Sequence, residues 1–226
     1  YKHPDNYLNN HGGAFRICKG SDLTIENCKF EKNSSEECGG VINNRGKIKF
    51  INCTLNSNNA RNGGLIHNMG DVEIIGCKLF NNTAIRGALI YNCNGHNVKI
   101  SNSTLNNNIS DKHAGVVYNC NDGIFEIIDS QLCENESKGK GGVIFNCNGG
   151  IIKTKKCNFR NNLTNNSGSV IYNRIGELII DNCEFLNNAS TDKGGTLFND
   201  WFSISEINES QFMDNHARSG GAIQNC

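Results

Sequence analysis

The sequence predicts an all-β fold: a right-handed parallel β-helix solenoid of about nine coils, each with 24–27 residues and three short strands. Three observations predict it. A glycine-rich motif returns at a near-constant interval, the segments between its copies alternate as strands do, and asparagines keep the same place in successive repeats. A fixed period of this length indicates an architecture of stacked repeats.

The first strand of each coil follows a pair of glycines or a small substitute. Gly63 and Gly64 precede the aliphatic pair Leu65 and Ile66, and Asn68 closes the motif. Copies begin at residues 12, 39, 63, 87, 114, 141, 168, 194 and 220, so the steps are 24 to 27 residues long. The first copy lacks the closing asparagine. The aliphatic pair is expected to face the core.

The second strand of each coil alternates with a period of two. In the third repeat, Val72 and Ile74 flank Glu73, which predicts a strand with apolar side chains inward and a polar one outward. The outward position carries alternating charges in successive repeats, as in Lys49 and Glu73. Opposed charges on neighbouring strands contribute about 0.2–1 kcal/mol each. We therefore expect cross-coil ion pairs on this face.

The third strand begins with Phe or Leu, and an Asn follows three residues later. Three strands in a coil of about 26 residues cannot pair with one another, but they can pair with their equivalents in neighbouring coils, which defines a parallel β-helix. Residues 1–226 are predicted to form a single domain. Within it, residues 1–11 form an incomplete first coil and residues 220–226 an incomplete last coil.

Two asparagine columns support this register. The first column is Asn33, Asn58, Asn82, Asn108, Asn135, Asn162, Asn188 and Asn215. The second column is Asn44, Asn68, Asn92, Asn119, Asn146, Asn173, Asn199 and Asn225. An amide has two donors and an acceptor, so stacked Asn side chains can bond to the copies above and below. Because Asn tolerates the left-handed conformation, we also expect these residues to occupy the sharp corners.

The twelve cysteines are arranged mainly in columns. One column contains only Cys and Ser: Cys28, Cys53, Cys77, Ser103, Ser130, Cys157, Cys183 and Ser210. Another contains Cys93, Cys120 and Cys147, with Cys18 and Cys226 at the equivalent position. The spacing of stacked residues is compatible with vertical disulfides, but we expect mostly reduced thiols that fill the interior. No metal site and no cofactor are expected, because no Cys-x-x-Cys pair or convincing His spacing occurs.

Composition excludes several classes of partner. The net charge is zero, with 22 basic and 22 acidic residues, so nothing indicates a nucleic-acid partner. No apolar run approaches the length of a membrane span, and direct membrane insertion is not expected.

The motifs Gly-Gly-[Ala/Val]-Ile and Phe-x-x-Asn carry a family resemblance. Examples are Gly220 to Ile223, Gly141 to Ile144 and Phe185 to Asn188. They resemble the repeats of polymorphic outer-membrane proteins and, more closely, those of Asn-rich adhesin-like proteins of archaeal cell surfaces. The resemblance implies an extracellular protein displayed at the cell surface as an adhesin or stalk. Its partners would be neighbouring repeats of a longer chain, other copies stacked head-to-tail into a filament, or a cell-surface glycan or protein.

The candidate binding residues are aromatic. Five of them share one column on the predicted outer face of the first sheet: Tyr91, Tyr118, Phe145, Tyr172 and Phe198. An exposed stripe of this kind, about 20 Å long at the interstrand spacing, would bind sugar rings or a protein. The alternative is that the rings stack on one another and shield the sheet. Trp201, beside Phe202 in a turn, is expected to cover the core or anchor a partner.

Catalysis is not expected. Polysaccharide lyases and glycoside hydrolases of the β-helix class use clustered acidic residues on an exposed strand face. The outer column of the first sheet contains no carboxylate, from Arg16 to Gln224. Six basic residues precede repeats and form a candidate stripe for acidic polysaccharide or a set of solvated turns: Arg61, Arg86, Lys112, Lys140, Lys193 and Arg218. A polysaccharide-active enzyme is the alternative to a structural or adhesive solenoid.

Overall fold

The computed structural model describes residues 12–226, which form a right-handed parallel β-solenoid of about eight turns. The incomplete first coil expected for residues 1–11 lies outside the described residues. Three sheets run the length of the described stack and a fourth covers its central coils, and the chain visits the sheets in turn before it rises to the next coil.

Numbered in chain order, the strands form four sheets. The first sheet contains β1 (Phe15–Ile17), β4 (Ile42–Asn44), β8 (Ile66–Asn68), β12 (Ile90–Asn92), β16 (Val117–Cys120), β20 (Ile144–Cys147), β24 (Ile171–Arg174), β28 (Leu197–Asp200) and β31 (Ile223–Asn225). The second contains β2 (Asp22–Glu26), β5 (Lys47–Ile51), β9 (Asp71–Ile75), β13 (Asn97–Ser101), β17 (Ile124–Ile128), β21 (Ile151–Lys155), β25 (Glu177–Asp181) and β29 (Ile204–Asn208). The third contains β3 (Lys29–Glu31), β6 (Thr54–Asn56), β10 (Lys78–Phe80), β14 (Thr104–Asn106), β18 (Gln131–Cys133), β22 (Asn158–Arg160), β26 (Glu184–Leu186) and β30 (Gln211–Met213). The fourth contains β7 (Asn59–Asn62), β11 (Thr83–Arg86), β15 (Ile109–His113), β19 (Glu136–Ser137), β23 (Leu163–Thr164) and β27 (Ala189–Ser190).

The parallel register confirms the predicted solenoid. Val98 on β13 pairs with Val72 in the coil before it and with Phe125 in the coil after it. Each strand thus pairs with its equivalents one coil away, as the repeat predicted.

The fourth sheet is an addition to the three strands per coil that the sequence predicted. Its strands are short, and the side chains they bury are small: Ala60, Ala84, Ser110, Ser137, Thr164 and Ser190. Alternation of small or hydroxyl residues gives no apolar periodicity, so the sequence analysis did not identify this side.

The core is one apolar column inside the sheets. The second sheet contributes alternate residues such as Val72 and Ile74, and the first contributes aliphatic pairs such as Leu65 and Ile66. The third sheet contributes one large residue from each coil. Six of these are fully buried: Leu55, Leu79, Leu105, Leu132, Phe159 and Phe185.

Both asparagine ladders are hydrogen-bonded between coils, as predicted. In the first, Oδ1 of Asn82 accepts from the backbone N of Asn58 at 2.9 Å and from its Nδ2 at 3.0 Å. Nδ2 of Asn58 also donates to the Phe30 carbonyl at 3.2 Å. Equivalent bonds between amide side chains continue from Asn33 to Asn215.

The second ladder runs from Asn44 to Asn199. Nδ2 of Asn44 donates to Oδ1 of Asn68 at 2.8 Å, and the last bond of the series, from Asn173 to Asn199, is 3.4 Å long. Asn225 is the in-register backbone partner of Asn199.

The expectation that the ladder residues themselves adopt the left-handed corner conformation is wrong. In the first ladder the left-handed residue directly precedes the ladder residue: Asn81, with a φ of 57°, precedes Asn82. The corner is turned one residue early, which leaves the ladder Asn free to direct its amide along the stack.

Glycine is favoured at both positions of the pair that opens each repeat, for steric reasons. Gly39 has a φ of +66°, and a Cβ on it would lie 2.1 Å from the Ile42 carbonyl oxygen. A Cβ on Gly40 would lie 2.1 Å from the carbonyl oxygen of Gly64 in the next coil. The first glycine therefore permits the turn, and the second permits the close approach of two coils.

The column of Cys and Ser residues that runs from Cys28 to Ser210 forms a third ladder. Sγ of Cys77 accepts from the backbone N of Cys53 at 3.3 Å, and Oγ of Ser103 accepts from the backbone N of Cys77 at 3.1 Å. From Cys53 to Cys183 the column is buried, as predicted, but Cys28 is exposed and Ser210 is half-buried, in the first and last described coils. Thiol and hydroxyl groups thus accept the hydrogen bonds of the backbone N–H groups at this corner.

Two of the expected charge pairs on the second sheet are present. Nζ of Lys49 lies 2.8 Å from Oε2 of Glu73, and Nζ of Lys99 lies 3.4 Å from Oε2 of Glu126. Between 36% and 48% of each side chain is exposed, so each pair contributes little to stability and mainly matches the charge of one coil to that of the next.

Candidate binding surface

The aromatic column on the outer face of the first sheet is a continuous stack. Ring centroids of Tyr91 and Tyr118 lie 4.9 Å apart, those of Tyr118 and Phe145 5.0 Å, and those of Phe145 and Tyr172 5.2 Å. The stack begins at His67 and ends at Phe198. The in-register parallel strands place these rings above one another at the interstrand spacing.

The prediction that these aromatic residues form an exposed stripe is therefore wrong. Phe145, Tyr172 and Phe198 are buried, with 8%, 1% and 6% of their surface exposed, and Tyr91 and Tyr118 are half-buried. Each ring covers the face of its neighbour, and the two edges of the stack are covered by other side chains. The structure therefore agrees with the other alternative, in which the rings stack on one another and shield the sheet.

One edge of the stack is lined by basic residues at the corner between the fourth and first sheets. The ring of His113 stacks on Phe145 at 4.8 Å, and its Nδ1 accepts from the backbone N of Lys140 at 3.0 Å. Nζ of Lys140 lies 4.3 Å from the ring centroid of Tyr172 and 2.7 Å from its Oη. Burial, followed by the charges of Arg86 and Lys140, lowers the pKa of His113 to about 4.

This arrangement changes the interpretation of the basic stripe. Burial lowers the pKa of the half-buried Lys140, whose ammonium group contacts the ring of Tyr172. Arg61 lies 3.6 Å from Glu37. Lys140 and Arg61 are thus engaged within the protein, which weakens the proposal of a polysaccharide stripe.

The other edge of the stack is a column of sulfur-containing residues: Met69, Cys93, Cys120 and Cys147. Arg174 and Asp200 continue this position in the next two coils. The hydroxyl of Tyr172 donates to Oδ2 of Asp200. Burial raises the pKa of Tyr91, Tyr118 and Tyr172, which keeps all three phenols protonated.

Among residues 12–226, the most exposed large apolar side chains lie at the corner between the first and second sheets, mainly in the outermost coil. We call Ile175, Trp201, Phe202 and Ile204 the apolar corner; their exposed fractions are 40%, 63%, 86% and 70%. The backbone N of Ile175 donates to the carbonyl of Trp201 at 3.0 Å, so the residues belong to neighbouring coils in contact. The guanidinium of Arg174 lies 6.0 Å from the Trp201 ring.

The backbone of the apolar corner is unusual for its residue types. Ile175 and Phe202 both have a φ of 53°, in the left-handed region. Earlier coils place Asn94, Asn121 and Asn148 in this conformation at the same corner. A β-branched or aromatic residue there costs about 1–2 kcal/mol more than a residue suited to it. Strain held at an exposed site is a signal of function.

Only part of this surface was predicted from the sequence. Trp201 was a candidate residue, but its side chain is largely exposed and does not cover the core. Ile175 and Ile204 were not among the candidates. The available signal was the replacement of the turn residues Asn and Gly by bulky apolar residues in two successive repeats.

The fourth sheet carries a shallow groove of about 580 Å³. It is lined by Asn59, Arg61, Thr83, Ile85, Ile109 and Asp111, among others. Oδ1 of Asp111 lies 2.6 Å from Nζ of Lys138, an ion pair beside the groove.

Among residues 12–226, no group of three or more His, Cys, Asp or Glu side chains is arranged to hold a metal ion. The same residues include no helix that could span a membrane.

Comparison of the chain with protein-family models, curated proteins and solved structures gives no match. The candidate surface therefore rests on its own geometry.

Proposed function

We propose that this β-solenoid is a non-catalytic structural module displayed outside the cell, a stalk or adhesin segment that makes contact through the apolar corner. The single observation that carries the proposal is the pair of bulky residues, Ile175 and Phe202, held exposed in a left-handed backbone. Trp201 and Ile204 lie beside them in the outermost coil, where β29 is the last strand of the second sheet, and are exposed as well. An exposed apolar cluster of this kind is typical of a protein contact.

The charged surface also favours a structural role. Lys155 lies 2.6 Å from Asp181, and Arg160 lies 2.8 Å from Glu184, in both cases one coil away. These carboxylates are paired with cations of the neighbouring coil. A glycoside hydrolase instead needs two carboxyl groups facing one bond of the substrate.

A protein partner fits the apolar corner better than a glycan. Three of its four residues present phenyl or aliphatic surface, and Trp and Arg are enriched at the energetic centres of protein interfaces. A small-molecule site needs a few precisely placed polar groups, whereas the indole N–H of Trp201 is the one polar group among the four side chains of the apolar corner. The resemblance to surface adhesins supports an extracellular location.

Two experiments test the proposal. Antibodies against the chain should label intact source cells, and beads that carry the purified chain should adhere to their surface. The double variant Trp201→Ser/Phe202→Asn should lose at least about tenfold in adhesion. The matched control Ile109→Ser/Leu163→Ser changes two comparably apolar side chains on the fourth sheet, 39% and 38% exposed, and should adhere as the wild type does.

Pretreatment of the cells distinguishes the partner classes. Protease treatment should abolish adhesion, whereas periodate oxidation of glycans should not. Labelling only after permeabilisation would overturn the extracellular role. Equal adhesion of the double variant would show that the apolar corner is not the contact surface.

Electron microscopy of the purified chain should show short rods; long fibres would instead favour head-to-tail stacking of subunits. Release of new reducing ends from acidic polysaccharides would support the enzymatic alternative.

A further inference from the structure

A second feature of the first sheet is the column of thiols beside the aromatic stack. Cys120 and Cys147 are direct Cα partners in neighbouring parallel strands. Parallel strands lie about 4.8 Å apart, within the Cα separation that disulfides span, roughly 4.4–6.8 Å. Cys93 occupies the same position one coil before Cys120. Cys93 and Cys147 are therefore two spacings apart, roughly 9.6 Å, which is too far for a disulfide.

Cys147 differs from the two thiols that precede it. Sγ of Cys93 donates to the carbonyl of Asn68 at 3.7 Å, and Sγ of Cys120 donates to the carbonyl of Asn92 at 3.6 Å. Each thus bonds to the backbone of the coil before it. Sγ of Cys147 instead lies 3.9 Å from the hydroxyl of Tyr118, a group that can also donate to it.

The next coil places a cation beside Cys147. Arg174 is its direct Cα partner on the side away from Cys120. When Cys147 is the thiolate, the S–H of Cys120 can turn towards it from the Asn92 carbonyl. That hydrogen bond, a second from Tyr118 and the charge of Arg174 lower the pKa of Cys147 against the opposing effect of burial. The hydrogen bond to Cys147 and burial raise the pKa of Cys120. A thiol stabilised as the thiolate beside a second thiol is the arrangement of reactive dithiols.

We propose that Cys147 and Cys120 form a redox-active pair in which Cys147 is the nucleophile and Cys120 the resolving thiol. The co-reactant is a low-molecular-weight disulfide. The Cys147 thiolate attacks one of its sulfurs, the S–S bond breaks, and one thiolate leaves, which produces a mixed disulfide on Cys147. Cys120 then loses its proton and attacks Sγ of Cys147, and the second thiolate departs. The two cysteines lose two electrons and the reagent is reduced to two thiols.

The core-facing cysteine pairs provide internal controls for access to the reagent, not for acidity, because a hydrogen bond from Cys157 lowers the pKa of Cys183 to about 7. Cys53 and Cys77 occupy one column in neighbouring coils, as do Cys157 and Cys183, and all four are buried in the main core. Their sulfurs bond to corner backbone groups, as in Cys53 to Ile51 and Cys183 to Asp181. The turn that follows Cys147 is exposed at Asn148 and Gly149, so a small reagent has a shorter path to this pair than to the core.

The experiment uses the folded protein and oxidised glutathione as the reagent. After quenching by acid and alkylation, mass spectrometry should find a peptide cross-linked between Cys120 and Cys147 before either core pair is linked. The Cys120→Ser variant should accumulate a glutathione adduct on Cys147. The Cys147→Ser variant should form neither adduct nor cross-link at this site, and Cys93→Ser should behave as the wild type does.

Oxidation closes a loop across one coil and should raise the thermal midpoint by roughly 5–10 °C. Should a variant fail to fold, alkylation of the wild type decides: iodoacetamide should modify Cys147 before the other buried cysteines. A dominant link between Cys93 and Cys120, equal oxidation of the core pairs, or a column that stays reduced while the denatured chain oxidises would each overturn the proposal.

Discussion

Asn82 and Asn108 are joined twice across one coil step. Oδ1 of Asn108 accepts from the backbone N of Asn82 at 3.0 Å and from its Nδ2 at 3.1 Å, while Nδ2 of Asn108 donates to the Leu79 carbonyl at 3.2 Å. One side chain therefore satisfies three groups in the coil before it. All of these groups are far from solvent, so they depend on the stack for their partners.

The Asn108→Ala variant should be strongly destabilised. It removes the acceptor of the Asn82 backbone N–H and the side-chain donor to the Leu79 carbonyl, while Asn82 Nδ2 keeps the carbonyls of Leu55 and Phe80. An unpaired buried polar group costs about 1–3 kcal/mol. We expect a loss of about 2–4 kcal/mol in the free energy of unfolding, measured by chemical denaturation. Asn165→Ala, at an exposed position, is the matched control and should change stability by no more than about 0.5 kcal/mol. Equal effects would refute the ladder as a stabilising element.

Cys77 should tolerate serine but not valine. Its sulfur accepts from the backbone N of Cys53, and Ser103 already performs this function one coil later. Cys77→Ser should therefore cost at most about 1 kcal/mol. Cys77→Val keeps a compact apolar side chain, somewhat larger than cysteine, but removes the acceptor, and should cost about 1–3 kcal/mol. Thermal denaturation of the two variants makes the comparison; a more stable valine variant would show that this column acts only through packing.

Acidification should destabilise the protein partly through His113. Its folded-state pKa, about 4, lies below the ordinary value of 6.5, so the unfolded chain binds the proton first as the pH falls. The stability that His113 contributes is complete above about pH 6.5 and is lost as the pH falls through the folded-state value. Protonation of Nδ1 also breaks its bond with the Lys140 amide.

The His113→Gln variant isolates this effect, since every other titrating group is retained. Between about pH 7.5 and about pH 5, the thermal midpoint of the wild type should fall by roughly 2–4 °C more than that of the variant, which corresponds to about 1 kcal/mol after allowance for solvent screening. Identical pH profiles would mean that His113 titrates alike in the folded and unfolded chains.

Phe202→Asn should separate stability from function. Asn is suited to the left-handed conformation that Phe202 adopts, so the variant should be more stable by about 0.5–1 kcal/mol in chemical denaturation. Adhesion of beads carrying this single variant should fall. Ile175→Asn should behave in the same way. A variant that gains no stability would show that the turn does not store strain.

The stacking register could be predicted from the sequence because it repeats. Asn82 and Asn108 hold the same place in successive repeats, and only vertical stacking explains amides kept in register. The fourth sheet could not be predicted, because its buried residues, such as Ala84 and Ser137, are too small to produce an apolar pattern.

The candidate surface was harder to predict than the fold. Whether Tyr172 faces solvent depends on Lys140 and Asp200, which reach it from neighbouring coils. Those contacts follow from three-dimensional packing and leave no mark in the periodicity. The left-handed backbone of Phe202 was equally hidden, because that conformation is atypical of the residue type.

Nuclear Overhauser contacts between the side-chain amides of successive ladder residues test the central claim most directly. With selective labelling of asparagine, the Nδ2 protons of Asn108 should show cross-peaks to protons of both Asn82 and Asn135, their partners one coil away in each direction. Cross-peaks confined to residues within four positions along the chain would contradict the stacked solenoid.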